Sequence, residues 1–264
     1  MTAPVSHRLA VNLLGSVFEL DTDDAATVAD VRRLWQPFLE AAADPSGAAA
    51  VAVRLDEASA PQRLQHFATA VNAAALDAAP HFAVHAGVVA YDGVAVAMPA
   101  VSGTGKSTMT AACLRRGFRY VSDEALCLSY DDGAVLPYPR PIALSPWSVD
   151  AVGASGRGTP VVGEYLLTAE DLGSARHEQP TRLGHLVILD RREATVPALH
   201  REARPSGVTL LLQLSFNHYR RPEDAVRLAA DVIAGAVVWR LEYSDPLEAA
   251  DLLWTSFVGE RPQP

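Results

Sequence analysis

The apolar run Val94-Ala-Val-Ala-Met98 ends at Pro99, passes through Ala100-Val-Ser-Gly-Thr-Gly-Lys-Ser-Thr108, and gives way to a helix-forming stretch, Ser107 to Arg116, closed by Gly117. A buried strand, a glycine-rich turn and a helix in that order leave this part of the chain one local geometry. The glycines let the backbone turn its N–H groups toward the start of the helix, where partial positive charge collects. This is the P-loop arrangement, suited to phosphate oxygens. Lys106 is the only lysine, against 21 arginines. A chain that uses arginine at every other basic position keeps here a compact ammonium on a flexible stem, which a planar guanidinium does not imitate. The motif predicts nucleotide contacts from Ser102, Gly103, Thr104, Gly105, Lys106, Ser107 and Thr108. Lys106 would reach the β and γ phosphates and the Ser107 hydroxyl would hold Mg²⁺, so ATP and Mg²⁺ are the expected cofactors. Ala100 stands where the usual G-x-x-x-x-G-K-[ST] pattern has its first glycine.

His81 to Ala90 alternates as a strand does, and Tyr91-Asp92-Gly93 reads as a turn, so the loop is entered through a hairpin. His85 lies on the first strand of that hairpin, and periodicity leaves open which way it faces. After the helix, Phe118 to Ser122 reads as a short strand ending in two acids, Asp123 and Glu124. Acids beside a P-loop are placed to hold Mg²⁺ through water and to accept a proton from an attacking hydroxyl.

The segment from His85 to Leu128, with its histidine strand, Gly-Thr-Gly-Lys-Ser-Thr loop, Arg-Gly-Phe helix exit and Val-Ser-Asp-Glu acids, resembles the catalytic domain of the HPr kinase/phosphorylase superfamily. It is especially similar to the HPr-kinase-related serine kinases found beside bacterial peptide-modification genes. That superfamily shares a core with phosphoenolpyruvate carboxykinases. Pro137 to Leu144 also resembles a stretch of the related kinases. The resemblance implies that His85 lines the phosphate site and that Glu124 is the proton acceptor. Asp123, with Ser107, would serve the metal, although the two acids could exchange roles. The family's late catalytic arginine has two candidate counterparts, Arg140 and Arg182; the Pro-Arg-Pro context, which stiffens the backbone, favours Arg140. The acidic loop used by bifunctional enzymes for dephosphorylation has no clear equivalent, and the Gly-rich segment 153–160 falls there instead. The expected activity is phosphoryl transfer to a serine or threonine hydroxyl of a peptide or carrier protein. A small-molecule hydroxyl such as free serine is the alternative acceptor, and a nucleotide-binding scaffold without transfer is a reading of another class.

The rest of the 264-residue chain reads as α/β, with 49% apolar and 20% charged residues, enough to fill a core. A small α+β unit is expected over 1–79 and the P-loop kinase catalytic domain over 80–264. In the first unit a helix is expected from about Ala25 to Ala43, with Trp35 on its apolar stripe, then a strand from Ala48 to Leu55 and a helix opened by Pro61. Later come a strand at His185 to Asp190, helices at 207–216 and 221–234, a last strand at 237–243 and a helix ending near Trp254. The tail from Arg261 is expected to fray. A net charge of −9 argues against a nucleic-acid partner, and no apolar run suits a membrane span. The arginine pairs 115/116, 191/192 and 220/221 read as solvated faces or local ion pairs. Cys113 and Cys127 lack any spacing for zinc or a disulfide framework. A cytoplasmic protein is expected, with a homo-oligomer left open, and the polar cluster Asn217-His-Tyr219 reads as satisfying a helix end.

Overall fold

The computed structural model describes residues 7–41, 51–55, 59–101 and 103–259. The expected strand at 48–50, the helix end at 42–43, the tail from Arg261 and Ser102 lie outside these residues.

The chain begins with a hairpin of β1 (His7–Leu13) and β2 (Ser16–Thr22), then α1 (Ala25–Leu34), α2 (Gln36–Ala41), β3 (Val51–Arg54) and α3 (Ala60–Ala78). β3 lies parallel to β2, completing a three-stranded sheet. The single helix expected through Ala43 is broken at Trp35. Pro37 supplies no N–H, and its ring would collide with the preceding turn of a continuous helix, so the chain restarts after Trp35. Trp35 itself is core, 1% exposed and edge-on to Phe67. Asp24 caps α1 through the amides of Ala26 and Thr27 and pairs with Arg63 on α3 at 2.6 Å. The Thr27 and Arg63 hydrogen bonds hold its carboxyl at a pKa of about 2.

The second part runs β4 (Phe82–Tyr91), β5 (Val94–Pro99), α4 (Lys106–Arg116), β6 (Arg119–Ser122), β7 (Ala125–Leu128), β8 (Val135–Leu136), β9 (Ile142–Leu144) and α5 (Pro146–Ala151). It continues as β10 (Thr159–Pro160), β11 (Tyr165–Leu167), β12 (Arg182–Arg191), β13 (Ala198–Arg201), α6 (Arg204–Gln213), α7 (Pro222–Gly235), β14 (Val237–Tyr243) and α8 (Pro246–Phe257). The fold is mixed α/β, built on an eight-stranded mixed sheet in the order β13-β14-β12-β5-β4-β7-β8, with β6 also paired to β4. β12 is parallel to both β5 and β14, whereas β4 is antiparallel to β5. The β4–β5 turn places Asp92 and Gly93 at φ 41° and 73°, the left-handed region that short hairpins require.

Every residue of β5 is buried, as a strand covered on both faces must be. Val96 and Met98 pack with Met109, Cys113 and Leu253 of α4 and α8. Ala95 and Ala97 face the other way, toward Leu211 of α6 and Leu228 and Ala229 of α7. The same alternation runs along β4: Val84, Ala86 and Val88 join the α6–α7 side, while Gly87 and Val89 face α4. Gly87 allows α4 to approach closely, since a Cβ there would lie 2.2 Å from Thr110 Oγ1. The core of the first unit is continuous with the second, taking in Ala83, Ala125, Cys127 and Tyr138. Both cysteines are free and buried, and burial pushes their thiols up to about 12. Among the described residues no helix is long and apolar enough to cross a membrane.

Candidate functional site

The P-loop leaves β5 at Pro99 and turns through Gly103 and Gly105 at φ 85° and 89°. Such angles strain any residue with a Cβ. Gly105 is the N-cap of α4, with no side-chain cap and no acid in the first turn. Among the described residues the first amides of this eleven-residue helix therefore have no side-chain acceptor, the condition in which a helix start receives an anion. Thr104 closes the loop on itself, its hydroxyl donating to the Val101 carbonyl at 2.8 Å.

Lys106 opens α4 and is 7% exposed. Its Nζ donates to the main-chain carbonyl of Asp123 and lies 3.4 Å from the Asp123 carboxylate. Thr108, two residues on, shares a hydrogen bond with Ser148 Oγ at 2.9 Å, which fastens α5 to the loop. The ammonium is held between the loop and the two acids that follow β6.

At the end of β6 the Ser122 hydroxyl accepts from the amides of Glu124 and Ala125, bending the chain so that β7 can pair with β4. Glu124 is anchored by its carbonyl, which accepts from the Ala86 amide at 3.2 Å, and by its Oε2, which accepts from Arg140 Nη1. Arg140 is held in turn: its amide donates to the Tyr138 carbonyl and its own carbonyl accepts from the Tyr120 hydroxyl at 2.6 Å. Its guanidinium is almost entirely enclosed, and the facing carboxylate of Glu124 keeps it firmly charged despite burial. The sequence alternatives are thereby separated in space. Arg182 begins β12 opposite Val94, at the end of β5 farthest from the P-loop, and takes no part in this site.

His85 sits on the α4 face of β4 by the same alternation that places Gly87 and Val89 there. Its ring meets Phe216 edge-on. Burial foremost, and then the ammonium of Lys106, hold its pKa below the ordinary histidine value, against the opposing pull of Glu124 and Asp123. The shift favours the neutral ring.

His85, Gly103, Gly105, Lys106, Ser107, Thr108 and Glu124 all line one cleft of about 490 Å³. Asp123 does not line it. It is 6% exposed and lies behind Lys106, where its carboxylate steers the ammonium. No group of three or more His, Cys, Asp or Glu side chains able to hold a metal occurs among the described residues. Ser107 with a nearby acid is a donor set that suits Mg²⁺ only when phosphate oxygens complete it, as is usual for that ion.

Among the cleft residues that sequence reasoning does not single out are Ser145, Trp147, Ser148, Glu164 and Arg191. The sequence reads Arg191 with Arg192 as a solvated face or a local ion pair. Arg192 does bind Asp190 and Glu242, at 2.7 and 2.9 Å, but Arg191 turns to the cleft. One signal was present, since Arg191 ends a strand parallel to β5 and ligands of α/β sheets gather at carboxyl ends. Asn217 satisfies a helix end, as expected, and a strand start besides: its Nδ2 donates to the carbonyl of Ala79, the C-cap of α3, at 3.3 Å. Its Oδ1 accepts from the Ala83 amide at 3.1 Å and its Nδ2 donates to the His81 carbonyl at 2.8 Å, fixing the entry to β4. A second cleft of about 510 Å³, between the first unit and residues 136–139 and 176–178, contains none of the candidate residues. No protein-family model matches this chain, and a search of the curated proteins finds no match either.

Proposed function

We propose that this chain is a phosphotransferase with an HPr-kinase-like core, binding Mg²⁺-ATP at the P-loop and transferring the γ-phosphoryl group to a serine or threonine hydroxyl of a peptide or carrier protein. The observation that carries this reading is the meeting, in one cleft, of Lys106 at an uncapped helix start with Glu124 and His85. Bound there, Mg²⁺-ATP supplies an electrophilic γ-phosphorus and ADP as the leaving group.

The chain's own part is positioning and charge. The amides from Gly103 to Thr108 bind the phosphate chain, and Lys106 exchanges its bond to the Asp123 carbonyl for phosphate oxygens. Ser107 contributes a metal ligand, with Asp123 or Glu124 reaching the same ion through water. Glu124 accepts the hydroxyl proton of the acceptor on the carboxylate oxygen that Arg140 leaves open, while the acceptor oxygen forms its bond to phosphorus. Neutral His85 donates a hydrogen bond to a phosphate oxygen and so orients the transferring group.

The test is incubation of the purified protein with Mg²⁺-ATP and the peptide encoded beside its gene, followed by mass measurement of the products. A gain of one phosphoryl group on serine or threonine supports the reading. ATP consumption stimulated only by free amino acids or sugars would move it to a small-molecule kinase, and absence of transfer to every candidate would leave a nucleotide-binding scaffold.

A further inference from the structure

Trp147 is the largest side chain on the wall of the P-loop cleft, and 53% of its surface is exposed. A single exposed aromatic is ordinary on a protein surface. This one is held in place. Ser145 caps α5 through the Ser148 amide, Ser148 bonds to Thr108 of the loop, and the guanidinium of Arg191 lies 4.9 Å from the centroid of the indole ring. A flat cation lying over a flat ring borders a surface that can also accept a third flat partner.

The sheet order gives the cleft a direction. The P-loop strand β5 has β4 on one side and β12 on the other. His85 on β4, with Asp123 and Glu124 just before β7, stands on the first side, and Lys106 points that way, toward Asp123. Arg191 and its register partner Tyr243 end β12 and β14 on the second side, and Tyr243 approaches Gly105 there. Thr108, two residues past Lys106 on α4 and so on roughly the opposite side of the helix from the side chain that meets Asp123, joins α5 and hence Trp147. A triphosphate whose reacting end lies at Lys106 and Glu124 therefore directs its nucleoside toward Trp147 and Arg191.

We infer that Trp147 and Arg191 together form the platform on which the nucleobase stacks. The inference rests on the phosphate-site reading above and adds to it the part of the ligand that the P-loop itself does not touch. Stacking reads the face of the base and not its edge, so the platform contributes affinity for any nucleoside triphosphate over a bare phosphate chain.

Titration calorimetry with two probes, Mg²⁺-ATP and Mg²⁺-tripolyphosphate, tests it, because the second has the phosphate chain without the base. In Trp147→Ala the dissociation constant for ATP should rise roughly tenfold, within the range of base–aromatic stacking, while that for tripolyphosphate changes less than about twofold. Trp147→Phe, which keeps a ring, should restore most of the ATP affinity. Arg191→Ala should follow Trp147→Ala. Unchanged ATP affinity in Trp147→Ala, or an equal loss for both probes, overturns the platform. If the wild-type protein binds tripolyphosphate but gains nothing from the base, the platform alone fails. If it binds neither probe, the phosphate-site reading fails and the platform with it.

Discussion

Arg140 donates to Oε2 of Glu124, an acid on the wall of the P-loop cleft, joining the segment after β8 to the acid that follows β6. The pair does two things at once. It satisfies a guanidinium that is almost entirely enclosed, and it leaves one oxygen of Glu124 to act. Removing either partner alone strands the other in a poorly solvated place, which costs more than the pair contributes.

A double-mutant cycle measures that coupling. Arg140→Ala and Glu124→Gln should each destabilise the protein, and the double variant should lose less than their sum, with a coupling energy of about 0.5–3 kcal/mol by denaturant unfolding. In turnover, Glu124→Gln should keep ATP affinity near wild type while transfer falls on the order of 10²- to 10⁴-fold, the span of general-base contributions. Loss of nucleotide affinity without loss of turnover at saturation would remove Glu124 from the base role.

Lys106 occupies a slot closed by Thr110, Gly87 and the Asp123 carbonyl. Lys106→Ala should abolish transfer, and Lys106→Arg should lose most of it, because the wider guanidinium cannot enter a slot shaped around a compact ammonium. Wild-type turnover of the arginine variant, measured at saturating ATP, would contradict this.

Gly87 is the close approach between β4 and α4. Gly87→Ala should cost about 1–3 kcal/mol, since its Cβ must displace Thr110 Oγ1, which donates to the Lys106 carbonyl. A melting temperature lowered by several degrees is the expected reading, and adding Thr110→Ala should recover part of it by removing the colliding atom. No recovery would place the strain elsewhere on the helix.

His185 offers a pH test far from the cleft. Its Nδ1 accepts from Trp239 Nε1 at 3.1 Å, its Nε2 meets the Tyr91 hydroxyl at 2.9 Å, and its ring stacks on Phe257. Burial, with a smaller push from Arg182, lowers its pKa to about 4 from the ordinary 6.5. The unfolded chain therefore binds this proton between pH 6.5 and about 4 while the folded chain does not, so stability is complete above 6.5 and falls as pH drops through that window. His81, His85 and His177 are shifted the same way. Urea midpoints from pH 7 to 4.5 should show the decline, and His185→Phe should flatten it. An unchanged slope would assign the dependence to the other histidines.

The sequence alone determined the pieces whose geometry is local. Positive φ at Gly103 and Gly105, the Asp92-Gly93 turn, the doubly buried strand at Val94–Pro99 and helix starts at Pro61 and Pro222 follow from constraints acting over a few residues. The break at Trp35 was legible in principle, since Pro37 forbids the expected helix. Tertiary structure decided what depends on strand order and register. His85 faces α4 only because β4 pairs with β5 in one register, and a shift of one residue would turn it to the opposite face. Arg140 meets Glu124, while Arg182 is carried to the other end of β5 by the parallel pairing of β12. Trp147 and Arg191, 44 positions apart, meet because α5 is tied to Thr108 and β12 ends beside the loop. A one-dimensional pattern carries the period of a strand or helix, but not which neighbour it is laid against, and the cleft is made of those neighbours.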